Sequence, residues 1–141
     1  MAIKKVSPYL NFDGNGEQAV KFYETVLGAK VEALSRMGDM PGSNAPPEDK
    51  DRLLHALLRL ESGDAIMASD TMKGMPLSVG NNTHITLDFN DVDDMNQKFE
   101  ALAAGGKVTM PLNDTFWGAR FGMLTDKFGI NWMFSCDLKK G

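Results

Sequence analysis

The sequence predicts an α+β fold: two similar βαβββ modules whose curved mixed sheets surround a cleft. Three observations predict it. The chain repeats itself, each copy opens on strand alternation that gives way to a helix, and each copy closes on a hairpin centred on glycine. Residues 7–31, SPYLNFDGNGEQAVKFYETVLGAKV, align without a gap on residues 84–108, HITLDFNDVDDMNQKFEALAAGGKV. Leu10 then meets Leu87, Phe12 meets Phe89, Phe22 meets Phe99, Gly28 meets Gly105, Lys30 meets Lys107 and Val31 meets Val108.

The first strand of the second copy places Ile85, Leu87 and Phe89 on one face and His84, Thr86 and Asp88 on the other, the period of a half-buried strand. The helix that follows carries Val92, Met95, Phe99 and Leu102 at helical spacing, as Ala19, Val20, Phe22, Tyr23, Val26 and Leu27 do in the first copy. Asp91 is placed to cap the second helix, because a carboxylate can accept from an otherwise orphaned N–H of the first turn. Gly28 and Gly105 are read as left-handed stops. Lys-Val opens a second strand in both copies. Glycine turns at Gly63 and Gly129 then join the last two strands of each module. Residues 39–51, DMPGSNAPPEDKD, hold three prolines and read as a mobile surface loop placed to act as a lid. The expected organisation is one domain over 1–141, with module one at 1–70, a linker at 71–82 and module two at 83–141. Four strands and one helix leave a sheet face uncovered, so two such halves can pair their open faces around a small-molecule cleft.

Bulk properties narrow the function. A chain of 141 residues, 43% hydrophobic, is long enough for a substantial core. The net charge of −4 is spread without a basic block, which argues against nucleic acid. The apolar runs are too short to cross a membrane, and the opening residues MAIKKVSPYL, with two lysines and no apolar h-region, are not expected to act as a secretory signal. The one cysteine excludes an intrachain disulfide and fits a reducing, cytoplasmic location. Ten methionines suit an irregular core or an adaptable pocket wall.

Longer motifs are more specific. PYLNFDGNGEQAVKFY, HALLRLESGDAIMASD and DTFWGARFGMLTDKFGINWM resemble the PhnB-like branch of the vicinal-oxygen-chelate superfamily, the glyoxalase/bleomycin resistance/dioxygenase group, over nearly the whole chain. The resemblance implies the paired-βαβββ fold of that superfamily, a homodimer and, for its enzymes, a divalent metal. It places the metal-ligand positions at the start of strand one and after the hairpin glycine of each module. Here those positions hold Ser7, Met67, His84 and Met133, where the enzymes present His, Gln and Glu. Hard divalent ions need oxygen or imidazole donors, and a thioether is neutral and soft. No cofactor is therefore expected. Two other readings stay open: soft Cu(I) on Met67, Met133 and His84, and a shifted divalent site using His55, His84 and Asp88 or Asp126.

The candidate ligand-binding residues are His84, Met67, Met133, Ser7, Trp117, Arg120, His55 and Ser69. His84 is read as facing the cleft, where its imidazole could do acid–base work. His55 shares a face with Leu57 and Arg59. Trp117 and Arg120 could hold an anionic, planar or cationic-aromatic ligand; equally, Phe116 and Trp117 could simply pack a turn, with Arg120 paired to Asp114 or Asp126. Met67 and Met133 are expected to face each other as symmetry mates, with Ser69 and Ser135 offering hydroxyls on the same face. Cys136 has the opposite parity and no basic neighbour, so a nucleophilic role is not expected. The leading expectation is a protein that binds a small organic ligand without the usual metal. The alternatives are a metal-dependent lyase, isomerase or dioxygenase, an enzyme using His84 as base, and a non-catalytic homodimer with a vestigial cleft. No Gly-rich turn supports methyl transfer.

Overall fold

The computed structural model describes residues 2–42, 45–72 and 74–138. The element order is β1 (Tyr9–Phe12), α1 (Gly16–Leu27), β2 (Lys30–Arg36), β3 (Leu53–Arg59), β4 (Ala65–Asp70), β5 (Ile85–Phe89), α2 (Val92–Ala103), β6 (Lys107–Asp114), β7 (Ala119–Thr125) and β8 (Asn131–Asp137). This is the predicted α+β fold of two βαβββ modules. The strands form two four-stranded sheets of the same topology, ordered β1-β4-β3-β2 and β5-β8-β7-β6. In each, the first strand runs parallel to the last and the other pairs are antiparallel. The chain divides into two compact units, Met1–Ser78 and Val79–Gly141, and the division falls inside the segment 71–82.

Each unit buries one sheet face under its own helix. In the first, Ala19, Val20, Tyr23 and Leu27 of α1 meet Leu10, Phe12, Leu53, Ala56, Leu58, Ile66 and Ala68, all buried. In the second, Met95, Phe99 and Leu102 of α2 cover Leu124, Trp132 and Phe134. Phe134 stacks on Phe89 at 5.2 Å and takes Phe99 edge-on at 5.0 Å. Each large apolar side chain removed from water contributes about 1.5–3 kcal/mol, so these faces set the strand register.

Asp91 caps α2 as expected, accepting from Asp93 N–H at 3.0 Å. Helix α1 stops on Gly28 in the left-handed conformation, φ 68°. The second stop departs from the prediction: α2 ends at Ala103, extended Ala104 is its cap, and Gly105 follows at φ 76°. Gly63 and Gly129 turn the two hairpins at φ 95° and 90°.

A buried carboxylate at the end of β4 ties the first unit together. Asp70 accepts from the N–H groups of Gly14 (2.8 Å), Gly16 (2.9 Å) and Leu53 (2.7 Å), joining the β1–α1 turn to the start of β3. A side chain at Gly16 would put its Cβ 2.8 Å from that carboxylate oxygen, so the close approach requires glycine. The expected surface loop is tied at its base: Met37 N–H donates to Arg52 O at 2.8 Å and Gly38 N–H to Lys50 O at 2.9 Å, extending the β2–β3 hairpin. Ser43 and Asn44 of that loop, and Lys73 of the expected linker, lie outside the described residues. The end of the linker is held by Asn131, whose amide donates to Gly80 O and Thr83 O.

Candidate functional site

Strand period two gives each sheet a second face that its own helix does not cover. Strand register fixes what stands there. In the second unit, Thr86 lies opposite Met133, Met133 opposite Met123, and Met123 opposite Met110, a row across β5, β8, β7 and β6. The next row is Asp88, Ser135, Phe121 and Asn113. The Thr86 hydroxyl points at Met133 Sδ, 3.8 Å away. Trp117 extends the face at one end, its ring centroid 6.2 Å from that of Phe121 and 5.1 Å from that of Phe116.

The matching face of the first unit is different in kind. Tyr9, Met67, Leu57 and Ala33 form one row. Asn11 pairs with Ser69, and His55 with Ser35, in the next. The His55 imidazole lies 6.2 Å from the Tyr9 ring, tilted by 44°. Met67, Ser69 and His55 are therefore brought onto one surface, as strand parity predicts. Ser7 precedes β1, half-buried, two residues before Tyr9. Met133 stands on the second unit's open face, and half-buried His84 precedes β5 with the parity of Thr86.

The two readings of the Trp117 motif each hold in part: Arg120 pairs with Asp114, as the second expects, but two other expectations need correction. Arg120 does not share a surface with Trp117. It lies opposite Cys136, on the helix side of the sheet, where its Nε donates to Asn96 Oδ1 of α2 at 3.1 Å and its Nη1 pairs with Asp114 at 3.0 Å. Its guanidinium is thus engaged away from the open face. Nor do Phe116 and Trp117 pack a closed turn. They are 97% and 60% exposed, and the turn is instead closed by Thr115, whose hydroxyl donates to Ala119 O at 2.7 Å. Of the carboxylates considered for a shifted metal site, Asp126 is buried on the helix side: it accepts from Phe128 N–H, Ile130 N–H and the Trp132 indole N–H.

Cys136 is buried beneath α2, and its thiol donates to Asp137 O at 3.7 Å. Burial pushes its pKa up, with Asp137 and Asp91 adding to the effect, so it stays a protonated thiol at neutral pH.

The four ligand positions implied by the resemblance carry a hydroxyl, two thioethers and one imidazole. That donor set does not fit a hard divalent ion, which takes carboxylate oxygen and imidazole. Among the described residues, no three His, Cys, Asp or Glu side chains gather closely enough to make an alternative cluster.

Sequence reading missed Phe121, Met123 and Met110. The signal was available for the first two, because Phe121 and Met123 share a parity in β7. For Met110 it was not: the β6–β7 register shifts on either side of it, so counting along the strand gives the wrong face.

The glyoxalase/bleomycin resistance protein/dioxygenase superfamily profile matches residues 5–134. Protein YjdN of Escherichia coli K12 is 37% identical over 139 residues, covering 92% of this chain and 93% of YjdN. The crystal structure of PA1353 from Pseudomonas aeruginosa is 39% identical, with a TM-score of 0.86 over 97% of this chain and all of that one. A Bacillus cereus PhnB protein, described as a putative 3-demethylubiquinone-9 3-methyltransferase, shares the fold at 24% identity, with a TM-score of 0.79 over 94% of this chain and 99% of its own. Among the described residues no helix is long and apolar enough to cross a membrane.

Proposed function

Because the chain belongs to the glyoxalase/bleomycin resistance protein/dioxygenase superfamily, we propose that it is a PhnB-like protein that binds a small planar organic ligand, neutral or cationic, without the superfamily's usual divalent metal. The observation that carries this reading is the composition of the second unit's open face. Methionine thioethers and the Phe121 ring form its floor, Trp117 stands exposed at one end, and Ser135, Asn113 and Asp88 supply polar groups. Thioethers and indoles make favourable, adaptable contacts with aromatic rings. The charge on this face is also informative. Asp88 is exposed and makes no ion pair among the described residues, whereas the one arginine in the second unit's sequence, Arg120, is turned toward α2. A cation is favoured over an anion on such a surface.

Binding rather than catalysis is favoured by the donor set at the superfamily's ligand positions. A reducing, cytoplasmic location suits the lone buried thiol. A homodimer belongs to the same proposal, C₂ pairs being the commonest oligomer, and light scattering checks it.

A thermal-shift series on the full chain tests the reading. The series holds one ring scaffold constant and varies its substituent through cationic, neutral and anionic forms. The cationic and neutral members are expected to raise Tm. At a hundredfold excess over Kd the native state gains about 2.7 kcal/mol, on the order of 5–10 °C for a chain of this size. A shift with the anionic members alone contradicts the charge argument. Metal analysis of protein purified without chelator is expected to show no stoichiometric Mn, Fe, Ni or Zn; one bound equivalent would restore the metalloenzyme alternative.

A further inference from the structure

The sulfur row on the second sheet has a chemistry of its own. Met110, Met123 and Met133 come from three adjacent strands and stand directly opposite one another in register. Cross-strand neighbours of this kind lie about 4.5–5.5 Å apart at Cβ, and a methionine arm has three rotatable bonds. Thioether sulfurs from the two outer strands can therefore converge above Met123 without moving the backbone. None of the three belongs to the buried core: Met110 is exposed, and Met123 and Met133 are half-buried. The Thr86 hydroxyl at 3.8 Å already orients the Met133 sulfur on this face.

We propose that Met110, Met123 and Met133 form a binding site for a soft monovalent cation, Cu(I) in the cell. Thioethers are neutral, polarisable donors that select Cu(I) and bind Mg²⁺, Mn²⁺ or Ca²⁺ poorly. A trio of neutral sulfurs needs no deprotonation, so loading is insensitive to pH across the neutral range. The site differs from the superfamily's ligand positions, sharing only Met133 with them and lying wholly within the second unit. It does not depend on the organic ligand proposed above.

Hydrophobic packing explains the same row if sulfur has no role, and the two explanations part on substitution by leucine. Leucine keeps nearly the same volume and apolar character, so packing survives it, but it offers no donor. The full chain is titrated anaerobically with Cu(I) under ascorbate, against a chromophoric Cu(I) chelator, with Ag(I) as a redox-inert parallel. One equivalent is expected, with a sulfur-only donor shell by X-ray absorption. Met123→Leu is expected to weaken binding at least tenfold while leaving Tm and the far-UV spectrum unchanged. Met110→Leu and Met133→Leu weaken it by smaller factors. Met95→Leu, on the buried face of α2, and Cys136→Ala, which removes the one thiol, leave it intact. Undiminished binding in the triple leucine variant, loss of binding on Cys136→Ala, or failure of the wild-type chain to compete with the chelator overturns the proposal.

Discussion

The two units share a topology and differ in where they bury charge. In the first, the buried carboxylate is Asp70, at the end of β4, where it gathers three backbone N–H groups from two other segments. The residue at the same place in β8 is Cys136, which gathers none; Asp91 caps the neighbouring helix instead. In the second unit, the buried carboxylate is Asp126, at the end of β7, and it fixes the β7–β8 hairpin and the Trp132 indole. The corresponding position in the first unit is Leu60, whose turn is closed by backbone bonds to Asp64 and Gly63. One fold thus uses two independent anchors. A carboxylate is needed only where converging N–H groups would otherwise be buried without partners.

The contrast can be broken at its strongest point first. Asp70→Ala is expected to cost roughly 3 kcal/mol or more, since it strands buried donors. Cys136→Ala at the matching position should cost only about 1 kcal/mol, the price of a small cavity. Urea unfolding of both variants measures the difference, and equal losses would mean that Asp70 is not the anchor. Asp126→Ala follows, at about 2 kcal/mol or more, accompanied by a change in tryptophan emission because the Trp132 indole loses its acceptor. Third, Phe121→Ala should weaken a planar ligand about tenfold with little change in fold, whereas His55→Ala, on the first unit's open face, should leave that affinity intact; calorimetric titration reads both.

The smallest effect is electrostatic. The Arg36 guanidinium, bonded to Glu17 at 2.6 and 2.8 Å, holds that carboxyl below its ordinary value, with Lys21 assisting and partial burial opposing. A depressed folded pKa contributes stability that is present above the unfolded value, about 4.5, and lost as pH falls through the folded one. Wild type should therefore lose more stability between about pH 5 and pH 3 than Arg36→Gln does. Parallel slopes in urea titrations across that range would remove the pair from the account.

Much of the fold was legible because alternation and helical spacing repeat in register between the halves. Ile85, Leu87 and Phe89 could be assigned to the core side from period two alone, and Asp91 from its place ahead of an apolar helix. The failures have local causes. Gly105 looked like the helix stop, but Ala104 had already turned extended. Arg120 looked like a ligand contact because it neighbours Trp117 in sequence; the turn at Gly118, φ 86°, sends β7 back so that Arg120 faces α2. Met110 was hidden by the irregular β6–β7 register. The candidate site was thus readable in its strands and unreadable where a turn or a bulge changes the phase.

Everything functional rests on the open face of the second sheet being the surface that meets the ligand. Methionine-methyl NMR of the full chain, titrated with a planar aromatic cation that raises its Tm, addresses this directly. The Met123 and Met133 methyl signals are predicted to move together and saturate with the ligand, while that of Met95, buried on the other face under α2, stays in place. A ligand that stabilises the chain yet leaves Met123 and Met133 unmoved would place binding elsewhere and contradict the account.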